Sequence, residues 1–192
     1  IKSPNDIYYN QKKLGGILTE TKVEKNRVKS LIVGIGININ KDFFEEDIKD
    51  IVSYAAERHI MVIPEIDMPG HATSACRAYP EISGGGEGRW KGFTFHPCKE
   101  ETFEFISNVL DEVVDLFPAP YIHIGGDEVH YGNQNWFTDS DIQQFIKENH
   151  LVNETGLEHY FIRRVADIVA SKGKKMIGWD EIVDADVSPE KA

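Results

Sequence analysis

One stretch constrains this chain more than any other: Tyr121-Ile122-His123-Ile124-Gly125-Gly126-Asp127-Glu128-Val129-His130. It opens with alternating aromatic and β-branched residues, the pattern of a strand, and runs into two glycines and two adjacent carboxylates. In a β/α architecture the carboxyl ends of parallel strands are where chemistry collects, so Asp127 and Glu128 are the first candidate site residues. Consecutive strand side chains point to opposite sides, but leaving the strand at Gly125-Gly126 lets both acids turn toward one pocket. Taken alone, the same pattern also reads as a solvated turn.

Two flanking stretches repeat the design. Upstream, Met61-Val62-Ile63-Pro64-Glu65-Ile66-Asp67-Met68-Pro69-Gly70-His71 is an apolar run that ends in acids, a Pro-Gly turn and a histidine. Downstream, Lys175-Met176-Ile177-Gly178-Trp179-Asp180-Glu181-Ile182 ends an apolar run in an indole and two acids. Helical patterns lie between them. Ile48, Ile51, Val52 and Ala55 fall on one face of a helix capped by Asp42, and Phe103, Ile106, Val109, Leu110, Val113 and Val114 stripe a helix over 100–117. Residues 140–148 predict a short extra helix, and 153–172 a longer one with Leu157, Phe161, Val165, Ile168 and Val169 inward and Gly173 at its end. The repeating helix–strand–loop order favours a parallel sheet. The loop Ser83-Gly84-Gly85-Gly86-Glu87-Gly88-Arg89 is too flexible for a core and suits a site rim.

Residues 1–40 differ in kind. Ile7-Tyr8-Tyr9, residues 14–21 and residues 30–40 predict strands, the first two joined by a turn at 10–13, and Gly34 and Gly36 interrupt the third. Charge divides the same way: residues 1–40 hold seven Lys/Arg against three Asp/Glu, net +4, which leaves −15 for the rest of a chain whose total is −11. The acidic remainder argues against a nucleic-acid partner, and no apolar run approaches membrane-spanning length. Cys76 and Cys98 are too few for a disulfide framework; two inert thiols are expected, with a single bridge as the alternative. No His/Cys/Asp/Glu cluster has metal-site spacing. At 192 residues the chain is shorter than a complete (β/α)8 barrel of about 250 residues, and it begins with Ile. The expected fold is therefore α/β, a partial TIM barrel of central βα units preceded by a short β-rich segment, with domains 1–42 and 43–192. A fragment or fusion is the expected origin.

From about residue 43 onward the chain resembles glycoside hydrolase family 20, the β-N-acetylhexosaminidases, on Pro64-Glu65-Ile66-Asp67-Met68-Pro69-Gly70-His71, His123-Ile124-Gly125-Gly126-Asp127-Glu128 and Gly178-Trp179-Asp180-Glu181. The resemblance implies retaining, substrate-assisted hydrolysis of terminal N-acetylglucosamine or N-acetylgalactosamine from glycans, without metal or cofactor. It implies that Glu128 is the general acid and then the base, with a pKa raised by partial burial and by Asp127, and that Asp127 orients the acetamido group. His71 suits a sugar contact, a carboxylate holder or a structural tie of its loop. Asp67 and His123 suit support through a shared hydrogen-bond network, and Trp179 suits a pocket wall or a core position. Trp90 and Trp136 sit in long loops and suit outer subsites or surface plugs. The arginine that grips the sugar in this family, and its later-strand Tyr, Trp and acids, have no counterpart here. The full-length parent is expected to be soluble, with periplasmic and secreted placement both open, and exposed sheet edges are sites for association.

Residues 1–40 resemble a different family, the biotin protein ligases, on Lys2-Ser3-Pro4-Asn5-Asp6, Lys13-Leu14-Gly15-Gly16-Ile17-Leu18-Thr19-Glu20 and Gly34-Ile35-Gly36-Ile37-Asn38. That resemblance implies that Lys13 contacts biotin and that Asn5, Asp6 and Asn38 lie near a nucleotide. Ser3 stands where the family carries Trp. Two further readings therefore accompany the hexosaminidase: a biotin ligase fragment, and a truncated barrel that is catalytically inactive and at most binds sugar or a partner.

Overall fold

The computed structural model describes residues 6–9, 12–25, 27–37 and 45–192, and the chain divides into two compact units, Ile1–Glu46 and Asp47–Ala192. The boundary expected near residue 42 and the Asp42 cap lie outside the described residues, as do Asn5 and Asn38.

In the first unit, β1 (Asp6–Tyr9), β2 (Lys12–Glu24) and β3 (Arg27–Ile37) form an antiparallel sheet in that order. Asp6 falls in β1, and Lys12 and Lys13, expected in a turn, open β2. Gly34 and Gly36 do not interrupt β3: they pair in register with Leu18 and Gly16, and the irregularities fall at Ile7/Tyr8 and Lys22/Val23. Cross-strand pairing sets Ile17 opposite Ile35, Thr19 opposite Val33 and Thr21 opposite Leu31, all on one face. The four aliphatic side chains of that row are 37–61% exposed.

The second unit mixes helices with short parallel strands, without the strict helix–strand alternation the pattern predicts. After α1 (Glu45–Ala56) come α2 (Thr73–Ala78) and α3 (Glu100–Leu116), then β4 (Tyr121–His123). They are followed by α4 (Ser140–Glu148), α5 (Glu154–Ser171) and β5 (Lys175–Ile177). Asp139 caps α4 by accepting the amides of Asp141 and Ile142, and Asn153 caps α5 by accepting that of Gly156, which sets both helix starts. The six-residue α2 was not expected; its brevity gives too few turns for a periodic pattern. On α1 only Ala55 of the predicted apolar stripe is buried.

β4 lies between two parallel neighbours. On one side it pairs with β5, with Ile122 opposite Met176; on the other, His123 accepts from the Ile66 amide and donates to the Pro64 carbonyl, both at 2.9 Å. The upstream strand forms only at this end. Ile60, Met61 and Ile63 ahead of it are exposed and have no strand partner among the described residues. Alternation assigns the faces. Met68, Ile122, Ile124 and Met176 turn toward α3 and α5, where Phe103, Ile106, Leu110, Phe161, Ile162, Val165 and Val169 complete the core. Glu65, Asp67, His123 and Trp179 occupy alternate positions to these. A second cluster gathers Val129, Trp136, Ile142, Ile146 and Leu157 under the loop that follows the acids.

Phe161 has no exposed surface. Phe161→Ala is expected to lower the unfolding free energy by about 3–5 kcal/mol in urea denaturation. Val152→Ala, at a side chain that is 92% exposed, is expected to change it by less than about 0.5 kcal/mol.

Candidate active site

The three strand ends meet at Gly125. A Cβ added there would lie 1.9 Å from Asp67 Oδ1, and the residue has φ +67°, so only glycine lets the Asp67 carboxylate settle over the end of β4. At Gly126, φ +98°, a Cβ would strike Ile182 Cγ2 at 2.2 Å. The Gly126 amide donates to Asp67 Oδ1 at 3.2 Å, and the Trp179 amide donates to the Gly125 carbonyl at 2.9 Å. All three motifs are thereby tied to one turn.

Beyond that turn, Asp127 and Glu128 converge with Asp67 on His71. His71 Nε2 stands 3.4 Å from Glu128 Oε2, 3.8 Å from Asp127 Oδ2 and 3.9 Å from Asp67 Oδ2. His71 and Glu128 both adopt left-handed backbone, φ +54° and +56°, a conformation that costs a non-glycine residue about 1 kcal/mol or more and aims each side chain into the cluster.

Burial falls on a different carboxyl from the one expected. Glu128 is 45% exposed, because its left-handed backbone carries it to the surface end of the turn. Asp67 and Asp127 are both more enclosed, at 23% and 24% exposed, and at Asp67 desolvation first, then the charge of Asp127, push the pKa up to about 7, against the pull of the Gly126 amide. A proton on Asp67 supplies the hydrogen bond that two bare carboxylates cannot make. Asp127 Oδ1 is buried and has no donor among the described residues.

His123 does not join Asp67. Its register partner is Glu65, one alternate step back along the strands. His123 Nδ1 accepts the Gly125 amide at 3.1 Å and has Glu65 Oε1 3.5 Å away. Trp179 packs its ring against His123, centroids 4.9 Å apart, and donates its indole N–H to Glu65 Oε1 at 3.2 Å. Trp179 thus stands half-buried as a wall beside the acids. Glu65 was missed as a site residue, although it sits two residues before Asp67 on the same strand face. Trp136 is fully buried in the second cluster. Trp90 is only partly buried.

Asp67, His71 and Asp127 each offer a ligand atom within 4.8 Å of the others, the group among the described residues able to hold a cation. Two surface grooves, of about 550 and 610 Å³, lie along α4 and the start of α5, and neither is lined by the clustered acids. Glu158, in the first groove, has its pKa raised to about 7 by burial and then by Glu181. Cys76 and Cys98 are free thiols, each raised to about 11 by burial, and so inert.

The sequence matches the catalytic domain of glycosyl hydrolase family 20 over residues 15–192. The chain belongs to this family. It is 38% identical over 169 residues to a β-hexosaminidase of Porphyromonas gingivalis, covering 81% of the chain and 21% of that protein. Among solved structures, Flavobacterium johnsoniae chitobiase matches with TM-score 0.68 and 37% identity, over 76% of this chain and 23% of its own. A Bacteroides fragilis β-N-acetylhexosaminidase matches with TM-score 0.64 and 39% identity, over 72% and 28%. The chain therefore spans between a fifth and three tenths of the length of these family 20 relatives. The family match begins inside the stretch that resembles the biotin protein ligases, and the comparisons give that second resemblance no support. No helix among the described residues is long and apolar enough to cross a membrane.

The Asp67 proton sets a pH dependence. Its folded pKa is raised above the ordinary value, so the folded state holds a proton that the unfolded chain releases between about pH 4 and pH 7, and stability falls as pH rises through that window. Asp67→Asn is expected to gain in melting temperature relative to wild type as pH is raised from about 5 to 8. Glu158→Gln is expected to remove a separate part of the same slope. Parallel melting curves for Asp67→Asn and wild type across this range would show that Asp67 is ionised throughout.

Proposed function

We propose that the chain carries the catalytic acids of a retaining, substrate-assisted β-N-acetylhexosaminidase that releases terminal N-acetylglucosamine or N-acetylgalactosamine from glycans. One observation carries this reading: Glu128, Asp127 and Asp67 all approach a single imidazole nitrogen within 3.4–3.9 Å, so the adjacent acids share one cleft. In this reading the three parallel strand ends are the central portion of a (β/α)8 barrel whose sugar lies over Trp179.

Roles follow from position. Glu128, the most exposed of the three, gives its proton to the glycosidic oxygen as the bond breaks. The acetamido oxygen of the substrate attacks the anomeric carbon in place of a protein nucleophile, as this family is known to do. Positive charge then develops on the acetamido nitrogen. Asp127, whose Oδ2 is turned to the cluster 3.8 Å from His71 Nε2, accepts the amide N–H and faces that charge. Asp67, protonated, holds Asp127 in place and limits the negative charge of the cluster. The Glu128 carboxylate finally takes a proton from the water that opens the cyclic intermediate. Trp179 offers an indole wall fixed by Glu65 and His123.

Nitrophenol release from a nitrophenyl N-acetyl-β-glucosaminide tests this, with the chain and with a longer chain that contains it. Glu128→Gln is expected to lower kcat at least about 100-fold, and Asp127→Asn by about 100- to 1000-fold. The corresponding glucoside, with no acetamido group, is expected not to turn over. Equal rates for wild type and Glu128→Gln would remove Glu128 from the mechanism.

A further inference from the structure

The glycine-rich loop carries Trp90 to a place the acids leave unexplained. Its indole stacks on Tyr131, centroids 5.0 Å apart and planes 6° from parallel, and the exposed Arg89 holds its guanidinium 4.6 Å from the indole centroid. Phe93 bridges this group to the acids. It meets Trp90 edge-on at 5.0 Å and His71 edge-on at 4.8 Å, and the carboxylate nearest His71 Nε2 is that of Glu128. Two ring-to-ring steps thus link the indole to the imidazole beside Glu128.

The two loops are fastened to each other. The Gly86 amide donates to Asn135 Oδ1 at 2.6 Å, and Thr94 Oγ1 donates to the Gly132 carbonyl at 3.3 Å. A platform fixed in this way loses little freedom when it binds. The contrast with Trp136 is informative: that loop indole is fully buried and serves the core, whereas Trp90 stays partly open, with Tyr131 and Arg89 exposed beside it.

We propose that Trp90, Tyr131 and Arg89 form a binding platform for the sugar on the leaving-group side of the scissile bond. The inference rests on the hexosaminidase reading and extends it from the ring that is cleaved to the ring that is released. Trp179 is linked to the strand ends through Glu65 and His123, and Trp90 to His71 through Phe93, so each indole reaches the cluster by its own chain of contacts. A pyranose packs its C–H face on the indole, and Arg89, displaced from the ring, donates to its hydroxyls.

Amide and indole NMR signals of the 15N-labelled chain, titrated with N-acetylglucosamine and with its β-1,4-linked trimer, test the assignment. The monosaccharide is expected to move signals of Gly125–Glu128 only, and the trimer to move these together with the Trp90 indole N–H and Tyr131. Trp90→Ala, and Arg89→Ala at an exposed position where folding is not at stake, are each expected to weaken trimer binding at least fivefold and to leave monosaccharide binding within twofold. A trimer that moves only the Gly125–Glu128 set overturns the platform and leaves the reading of the acids standing. Shifts at Trp90 without shifts at the acids overturn its place beside Glu128. Silence at both sets removes the hexosaminidase reading and the platform with it.

Discussion

The approach of the Asp67 carboxylate to the bare backbone of Gly125 is the constraint on which the rest of the site depends. Parallel strands place their side chains side by side, and at this level a side chain from β4 would occupy the space the carboxylate needs. Removing that side chain does two things. It lets Asp67 reach the Gly126 amide, and it turns the chain sharply enough for Asp127 and Glu128 to leave the strand in the same direction. The third strand is held by the same turn through the Gly125 carbonyl, so one glycine sets the mutual position of residues more than a hundred apart in sequence.

Crowding carboxyl groups in this way has an electrostatic consequence. Three acids around one imidazole cannot all be ionised at little cost. At Asp67 burial and the charge of Asp127 both favour the proton. The result is a division among chemically similar groups: one carboxyl whose pKa is pushed toward neutrality, one with an oxygen shut away from solvent, and one exposed acid. Environment, not residue type, separates them. Glu65, a fourth carboxyl on the same face, is set apart by its own indole partner and orders the wall instead of the cluster.

How much of this was legible in the sequence follows from the range over which each feature is determined. The helices α3, α4 and α5 were readable because capping residues and apolar spacing are local, and α4 lies at 140–148 as the pattern predicts. The convergence of Asp127 and Glu128 was readable from the glycine pair. The transfer of burial from Glu128 to Asp67 was not, because it depends on the left-handed backbone at 128 and on a contact across 59 positions. The pairing of His123 with Glu65 instead of Asp67 needed the register between strands, which the pattern of either strand alone leaves open. Phe93 was invisible for the same reason: a phenylalanine in a loop acquires meaning only when a histidine twenty-two positions away packs on its edge. In residues 1–40, alternation identified the strands but carried no information about their family, and motifs of small and apolar residues gave a likeness that the comparisons do not support.

The half-exposed state of Glu128 bears on how such a site gains strength. A carboxyl in contact with water interacts with its neighbours through a high dielectric, and the same charges at the same distances interact several-fold more strongly once water is excluded. In the proposed reading a substrate ring laid over Trp179 would exclude water from the acids beside it. Exclusion of water would strengthen the interactions of Glu128 and Asp127 with whatever charge develops beside them. In this arrangement binding itself would complete the surroundings of the acid, which the free site leaves half open to solvent.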